Sequence, residues 1–188
     1  MIKQLAQNTI ERAVTCLNDG GVIAYPTEAV YGFGCDPFNV DAISKLLTIK
    51  RRSLDKGFIL IASSWDQLES LVQPIQPRNL QRIMDSWPGP HTWVFPANPE
   101  VPKWLTGKHE TLAIRVSNHP IVRALCQQYE GAIISTSANV EGSPPARDYR
   151  TVTMSFGDAL DYIVEGKVGD QLKPTDIRDA VTGELIRK

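Results

Sequence analysis

The sequence predicts an α/β domain in which one twisted sheet of parallel and antiparallel strands is flanked by helices. Early in the chain, helical and strand patterns alternate, which is typical of sheets whose strands are joined through helices. Later, two strand patterns flank Thr182-Gly183, a hairpin signal that adds antiparallel pairing. Hydrophobic residues make up 42% of the 188 positions, which is enough for one core, so we expect a single domain over residues 1–188.

Periodicity and turn residues predict the elements of the amino-terminal part. Apolar residues recur on one face of the first helical pattern, and the second strand pattern is apolar throughout. In chain order, the expected elements are a helix over Asn8–Asn18, a strand over Val22–Tyr25, a helix over Asp41–Arg51, a strand over Phe58–Ala62 and a further helix opened by a capping box at Ser64–Gln67.

The remaining elements follow the same signals. Pro120 suits the first turn of a helix, and Gly131 suits its end. The expected elements are a helix over Asn79–Trp87, a turn at Trp87–Pro90, strands over Thr92–Phe95 and Leu112–Val116, a long connection over Pro99–Gly107, a helix over Pro120–Tyr129, strands over Ala132–Ser135 and Tyr162–Glu165, and the hairpin strands Thr175–Val181 and Glu184–Arg187.

Composition excludes several classes of protein. With 20 Lys and Arg against 21 Asp and Glu, the chain is not basic enough to hold nucleic acid with its whole surface, so any anion site must be a local cluster. Three cysteines and three histidines, all widely spaced, argue against a disulfide framework and a structural zinc site. No apolar run approaches a membrane helix, and Met1–Ile10 does not resemble a signal peptide. We therefore expect a cytoplasmic protein that does not enter a membrane.

Two segments combine strand ends or helix ends with residues suited to ligands. In Pro26–Gly34 a strand stops at a proline, and two glycines follow at which a ligand can approach the backbone; a tight hairpin explains the same pattern equally well. In Lys50–Lys56 four cations leave a helix just before an apolar strand. Such cations can line a cleft, but the helix dipole also favours them at a helix end, and composition alone favours a solvated face.

Two further segments point to an anion or a ribose. Ser135–Asn139 places short hydroxyl and amide groups at the carboxyl end of a strand, where ligands bind in sheets flanked by helices; an ordinary polar turn is the alternative. Arg115 lies in an otherwise apolar strand. Because an unpaired buried arginine is costly, we expect it to face a cleft and meet a carboxylate or another anion.

Taken together, the motifs resemble one family over nearly the whole chain, the YrdC-like threonylcarbamoyl-adenylate synthases in their short, single-domain bacterial form. Each stretch is weak alone, but their shared order is specific. The stretches are P-T-E-A-V-Y-G-F-G from Pro26, K-R-R from Lys50, W-P-G-P from Trp87, R-V-S-N-H-P from Arg115, S-T-S-A-N from Ser135 and D-A-V-T-G-E-L from Asp179. The chain departs from the family at Phe33, Ser53 and Glu141, where leucine, proline and serine are usual.

The resemblance implies a reaction and a set of site residues around a concave substrate cleft. L-threonine, bicarbonate or CO₂, and ATP with Mg²⁺ on its phosphates would give threonylcarbamoyl-AMP and pyrophosphate. The adenylate would pass to a tRNA threonylcarbamoyl transferase complex that modifies tRNA beside the anticodon. The resemblance assigns catalysis to Lys50, Arg52 and Lys56. It assigns threonine binding to Thr27, Tyr31, Arg115, Ser135 and Thr175, and ATP binding to Lys50, Arg52, Thr111, Ser137 and Asn139. It implies no metal ligand from the protein, and Glu28 and Asp36 would contact these residues rather than the substrates.

Two other functions compete with this one. An RNA-binding module could use the Lys50–Lys56 cations, and affinity for tRNA or double-stranded RNA fits the family, although the charge of −1 and the scarcity of stacking aromatics near these cations speak against it. A carbamoyl-transfer domain of the hydrogenase-maturation type is the third reading, but the fused regions of those proteins are missing from the sequence.

Overall fold

The computed structural model describes residues 2–171 and 175–187, with side chains from residue 8 onward. Within these residues nine strands form one sheet. The strands are β1 (Ile23–Pro26), β2 (Tyr31–Gly34), β3 (Ile59–Ala62), β4 (His91–Pro96), β5 (Thr111–Val116), β6 (Ile133–Ser137), β7 (Tyr162–Ile163), β8 (Asp176–Asp179) and β9 (Leu185–Arg187). The helices are α1 (Ile2–Asn18), α2 (Val40–Lys50), α3 (Pro77–Ser86), α4 (Lys103–Thr106), α5 (Pro120–Tyr129) and α6 (Tyr149–Phe156).

The sheet is mixed, as the sequence predicts. Its strand order is β7-β1-β2-β6-β3-β5-β4-β8-β9. β3 and β5 run parallel, whereas β6 lies antiparallel to both of its neighbours, β2 and β3. The hairpin signal at Thr182-Gly183 is confirmed by the antiparallel pair β8–β9. The hairpin reading of Pro26–Gly34 is also confirmed, because β1 and β2 pair antiparallel.

Helices cover both faces of the sheet. On one face Ile43 and Leu46 of α2, Ile83 of α3 and Val152 of α6 join a core with the inward residues of the central strands. On the other face α1 and α5 form a second, smaller core with residues of β1, β3 and β6. Alternation along each strand sends successive side chains to opposite cores, which is why the strands read as apolar runs.

Three local expectations differ from the structure. Ser64–Gln67 does not open a helix: two short 3₁₀ turns, Trp65–Gln67 and Glu69–Leu71, occupy the segment. The Ser64 side chain makes no capping hydrogen bond, and the Gln67 side-chain oxygen Oε1 instead accepts from the Ser63 backbone amide and hydroxyl. Helix α6, which the sequence reading missed, begins where the Asp148 carboxylate accepts from the Thr151 amide. The short helix α4 also interrupts the expected long connection.

The segment after α2 positions the basic residues of the chain. Asn39 caps the start of α2 by accepting from the Ala42 amide at 3.0 Å. At the other end Arg51 adopts a left-handed conformation with φ 51° and reverses the chain. Ser53 then caps the 3₁₀ turn Leu54–Lys56, and Gly57 ends it. A Cβ at Gly57 would lie 2.7 Å from the Leu105 carbonyl, so this turn rests directly on α4.

Candidate active site

A cavity of about 620 Å³ opens on the sheet face that α1 and α5 cover, beyond the part that those helices reach. Its floor comes from alternate residues of the central strands, including Gly32 of β2, Ser135 and Ser137 of β6, Ile59 of β3 and Ala113 of β5. Its walls come from the β1–β2 loop, the basic segment after α2 and the carboxyl-terminal hairpin. These walls contribute Thr27, Ala29, Val30, Arg52, Lys56, Thr175, Ile177, Ile186 and Arg187.

Strand β5 shows how the sequence aims side chains into the cavity. Thr111, Ala113 and Arg115 line it, whereas Leu112 and Ile114 are fully buried in the core on the other face. The apolar strand therefore carries its arginine on the cavity side, as the cost of burying an unpaired guanidinium predicts. Arg115 Nη2 lies 3.3 Å from the Glu28 carboxylate, and the two side chains are only 7% and 10% exposed.

Glu28 is held firmly against Arg115. Its Oε1 accepts from the Ser117 hydroxyl at 2.6 Å and from the Asn118 amide at 3.2 Å. Burial on its own would raise the pKa of the Glu28 carboxyl, but Arg115 and these donors outweigh burial and lower that pKa below its ordinary value. Glu28 Oε2 and Arg115 Nε are both buried without a hydrogen-bond partner among the described residues. Arg115 thus keeps one buried donor that no described residue uses.

Lys50 lies behind the cavity rather than in it. The residue is 2% exposed and does not line the cavity. Its amine donates to the Ser137 carbonyl at 2.5 Å and to the Asn139 carbonyl and side-chain oxygen, both at 3.0 Å. Burial, with the nearby Arg52 charge, lowers the pKa of this amine to about 8. Lys50 and Ser137 therefore meet, but all three amine hydrogens already have partners within the fold.

Arg52, Lys56 and Arg187 bring three cations to the cavity wall. Arg52 is half-buried, and its Nη2 donates to the Gly57 carbonyl at 3.0 Å while its buried Nε has no partner among the described residues. Burial, together with the charge of Arg187, lowers the pKa of the Arg52 guanidinium. Lys56 forms an ion pair with Glu141. Two of the three departures from the family pattern thus acquire local roles, Ser53 as a cap and Glu141 as a partner of Lys56.

Several hydroxyls that line the cavity also bond within the fold. The Thr27 hydroxyl donates to the Val30 carbonyl at 2.7 Å, and Thr175 Oγ1 lies 3.3 Å from Thr92 Oγ1. The Tyr31 hydroxyl donates to the Gly166 carbonyl at 2.6 Å and fixes the segment that follows β7. The Thr27 and Thr175 hydroxyls keep oxygen lone pairs with which they can accept a further bond from a ligand, whereas the fully buried Tyr31 hydroxyl already accepts from the Gly166 amide at 3.1 Å.

The loop after β6 forms a small polar network. The Ser137 hydroxyl donates to Asn139 Oδ1 at 2.7 Å, and Asn139 Nδ2 donates to the Ser143 carbonyl at 2.6 Å. Ser137 lines the cavity, and Asn139 does not.

The structure brings together most of the residues that the sequence singled out. The cavity lining includes Thr27, Tyr31, Arg52, Lys56, Thr111, Arg115, Ser135, Ser137 and Thr175, whereas Lys50 and Asn139 support it from behind. Burial of Lys50 also removes one cation from the surface that an RNA-binding module would use. Sequence reasoning missed Arg187, whose only signal is a cation in the last strand pattern, and the contact of Glu28 with Arg115.

The described residues contain no group of three or more His, Cys, Asp or Glu side chains that could hold a metal ion. Among those same residues, no helix combines the length and the apolar character that crossing a membrane requires.

Comparison with known proteins gives one consistent family. The family model for Sua5, YciO and YrdC, described as "Telomere recombination", matches residues 15–188. A curated threonylcarbamoyl-AMP synthase of Coxiella burnetii is 59% identical over 179 residues, which cover 95% of this chain and 96% of that protein.

Solved structures agree with this assignment. The crystal structure of P. abyssi Sua5 complexed with L-threonine superimposes with a TM-score of 0.85 at 30% identity, over 90% of this chain and 50% of that one. This chain therefore spans about half the length of that protein. The crystal structure of E. coli YciO gives a TM-score of 0.82 at 26% identity, over 97% of this chain and 91% of the other. The family match and the identity to the Coxiella burnetii protein show that the chain belongs to the Sua5–YciO–YrdC family.

Proposed function

We propose that the chain is a threonylcarbamoyl-AMP synthase, which converts L-threonine, bicarbonate or CO₂, and ATP into threonylcarbamoyl-AMP and pyrophosphate. The observation that carries the proposal is one cavity that brings together the Arg115 guanidinium and three further cations at Arg52, Lys56 and Arg187. L-threonine carries a carboxylate and ATP carries a triphosphate, so a cavity with separate cationic groups suits both. The family and the curated relative with the same activity support this function.

Arg115 is our choice for the threonine carboxylate. Arg115 lines the cavity, Glu28 orients its guanidinium, and the planar fork of that group suits a carboxylate. Thr27, Tyr31, Ser135 and Thr175 surround the amino acid in this assignment, and all of them line the cavity. The hydroxyls of Thr27 and Thr175 can accept a bond from the substrate hydroxyl while they keep their contacts to Val30 and Thr92.

The nucleotide would occupy the rest of the cavity. Arg52, Lys56 and Arg187 supply positive charge for the triphosphate, and Thr111 and Ser137 supply hydroxyls. Mg²⁺ carried on the phosphate oxygens would neutralise further charge there; no group of described side chains replaces those oxygens as ligands. In this assignment Lys50 and Asn139 do not contact the nucleotide directly. They position Ser137, since the Lys50 amine donates to the carbonyls at both ends of the Ser137–Asn139 loop.

The chemistry needs alignment and charge neutralisation rather than a protein nucleophile. The threonine amine nitrogen bonds to the carbon of CO₂ and releases a proton to give a carbamate; with bicarbonate the same bond forms and water leaves. A carbamate oxygen then bonds to the α-phosphorus of ATP as the bond to the β-phosphate oxygen breaks, and pyrophosphate leaves. Holding the carbamate in line with that bond accounts for much of the rate, and the cations stabilise the charge that develops on the phosphate oxygens.

The product is a mixed anhydride that water destroys, so it suits prompt transfer to a second enzyme. We propose that this enzyme is the tRNA threonylcarbamoyl transferase complex and that the reaction takes place in the cytoplasm. Direct binding of tRNA or double-stranded RNA stays a prediction.

The test is pyrophosphate release and formation of an AMP adduct by the purified chain with ATP, Mg²⁺, bicarbonate and an amino acid. We expect kcat/KM to fall in the order threonine, serine, valine. A missing methyl, as in serine, is worth about 1–3 kcal/mol, whereas a site built to bond the substrate hydroxyl rejects an isostere that lacks it by roughly four decades or more. Equal efficiency with threonine and valine would show that the cavity reads shape alone. Pyrophosphate release that does not depend on any amino acid would overturn the assignment.

A further inference from the structure

Strand β2 carries two glycines, Gly32 and Gly34, on the same face of the sheet, and only one of them is required by packing. A Cβ at Gly34 would lie 2.6 Å from the Ile134 carbonyl and 2.7 Å from the Tyr25 ring. Neither neighbour can yield easily, because one is backbone in the adjacent strand and the other is a fully buried ring. Gly34 is therefore a packing glycine.

Gly32 has no such reason. The nearest atoms to a Cβ placed there are the Thr136 carbonyl and the Thr27 methyl, both at 3.5 Å, and the Ser135 hydroxyl at 3.6 Å. These are ordinary van der Waals distances. Gly32 also has no positive φ, so an L side chain would fit its backbone. A glycine inside a strand is destabilising relative to alanine, and the contacts at Gly32 show no packing reason for it.

The cavity offers the missing reason. Gly32 lies on the cavity floor, with the Thr27 methyl on one side and the Ser135 hydroxyl on the other. The space that a side chain would fill is thus bordered by one apolar group, the Thr27 methyl, and by two polar groups, the Ser135 hydroxyl and the Thr136 carbonyl. Such neighbours match a carbon atom that carries a methyl and a hydroxyl.

This space belongs to the carboxylate end of the cavity. Thr27 precedes Glu28, whose carboxylate lies against Arg115. Arg187, in contrast, is in β9, at the opposite end of the strand order from the β1–β2 pair. The side chain of an amino acid whose carboxylate binds Arg115 can therefore occupy the space at Gly32, away from Arg187.

We propose that Gly32 is a specificity-determining residue, whose missing side chain leaves the space that the β-branched carbon of the amino-acid substrate fills. The proposal rests on the proposed function and adds the residue that sets the size of this pocket. It explains why β2 keeps a glycine where its own packing would accept alanine.

The experiment compares Gly32→Ala with the matched variant Gly34→Ala. For Gly32→Ala we expect thermal stability equal to or above that of the unmodified chain, since no contact is compressed and the unfolded chain loses freedom. With ATP and bicarbonate, kcat/KM for threonine should fall about ten- to a hundredfold because the added methyl overpacks the bound side chain, while serine and glycine should lose much less. Gly34→Ala should lower the midpoint of thermal unfolding and leave the ratio of threonine to serine unchanged in the protein that remains folded.

A rescue variant tests the mechanism at atomic detail. Thr27→Ser removes the methyl that borders the space but keeps the hydroxyl that donates to Val30. In the double variant Thr27→Ser with Gly32→Ala, kcat/KM for threonine should recover severalfold relative to Gly32→Ala alone. An unfolded Gly32→Ala would itself contradict the ordinary contact distances at this position.

The outcomes separate the inference from the function on which it rests. If Gly32→Ala keeps the unmodified ratio of threonine to serine, or loses all amino acids equally with no rescue by Thr27→Ser, Gly32 does not set specificity. If the unmodified chain releases no pyrophosphate with any amino acid, the proposed function fails, and the variants are not needed to show it.

Discussion

One face of the sheet is divided into two regions by how far α1 and α5 extend. Where these helices cover it, β3 and β6 present Ile61 and Ile133, which are fully buried. Two residues away along the same strands, β3 presents Ile59 and β6 presents Ser135, and the cavity replaces the helices. The same strands thus serve as a core in one region and as a binding surface in the other.

The comparison shows that the size and polarity of the side chains on this face depend on whether α1 and α5 cover them. Under the helices, large apolar groups fill the space between the layers. Beyond them, Gly32, Ala113, Ser135 and Ser137 keep the floor small and polar, and the cations come from loops and from the last hairpin. We therefore expect substitutions in the covered region to reduce stability, and substitutions in the uncovered region to reduce turnover.

Glu28→Gln should have the largest effect on stability, because it removes one charge of the buried Glu28–Arg115 pair. This pair lies where the two regions meet. Losing one partner of a buried pair costs about 3–5 kcal/mol, since the other charge is left unpaired. The loss should be read from urea denaturation at pH 7. The matched control is Glu110→Gln, which breaks the exposed pair with Lys103 and should change the free energy of unfolding by less than about 1 kcal/mol. Equal losses of unfolding free energy in both variants would contradict the expected difference between the buried pair and the exposed pair.

The same pair has a pH dependence with a definite sign. The pKa of Glu28 is lowered in the folded chain, so its contribution is fully present above the pKa of an unfolded glutamate and is lost as the pH falls through the folded value. The stability difference between the unmodified chain and Glu28→Gln should therefore persist at pH 7 and 5 and shrink in stronger acid. A difference that grows on acidification would mean that Glu28 is protonated in the folded state.

Ile61→Ala tests the covered region alone. Ile61 is fully buried between β3 and the helices α1 and α5, and removing its side chain leaves a hole that costs about 2–5 kcal/mol. At a temperature where the variant stays folded, kcat/KM for threonine should match that of the unmodified chain. A large kinetic defect in the folded variant would show that the two regions are coupled.

Arg52→Ala tests the uncovered region alone. A charge-assisted contact to phosphate is worth about 1.5–3 kcal/mol, so kcat/KM should fall by roughly one to two decades if the contact forms in the transition state. Arg52→Lys should recover only part of this loss because the ammonium lacks the planar fork. Stability should change little, since the fold loses one hydrogen bond to Gly57. Unchanged turnover would mean that Arg52 does not meet the phosphates.

Ser53→Pro should have the smallest effect. Ser53 has φ −69°, which proline favours, so the gain of about 0.4–1 kcal/mol from a stiffer unfolded chain offsets a cap worth about 1 kcal/mol. Unfolding midpoints and kcat/KM should both stay close to those of the unmodified chain. A marked kinetic defect would show that the turn at Leu54–Lys56 depends on the serine hydroxyl.

Much of the fold could be predicted from the sequence because its signals are local. The apolar run Phe58–Ala62 predicts a buried strand, and Thr182-Gly183 predicts a hairpin turn, in each case from neighbouring residues alone. The helix expected to open at Ser64–Gln67 does not form. The Ser64 side chain makes no capping bond there, and the Gln67 side chain bonds to the Ser63 hydroxyl instead. Helix α6 escaped notice even though Asp148 is a good cap, since its apolar pattern is short.

The site was less predictable because its geometry depends on distant pairing. The charge pattern of Lys50–Lys56 favoured a solvated face, yet Lys50 is buried because its amine meets Ser137 and Asn139 from the far side of the sheet. Nothing local in the sequence shows that contact. The placement of Arg115, in contrast, followed from a local rule, since an arginine among apolar strand residues needs a charged partner.

The central position of β6 has a consequence for how the chain reaches this state. The hairpin β1–β2 forms early in the sequence, but β6 pairs with both β2 and β3 and so joins the hairpin to the rest of the sheet. During synthesis the hairpin must therefore wait with both edges unpaired, until residues 133–137 can pair with β2 and the later strand β7 can pair with β1. Contacts so distant in sequence slow folding and leave strand edges open to aggregation. The seam between β2 and β6, where Gly32 lies opposite Ser137, can thus close only after most of the chain has been made.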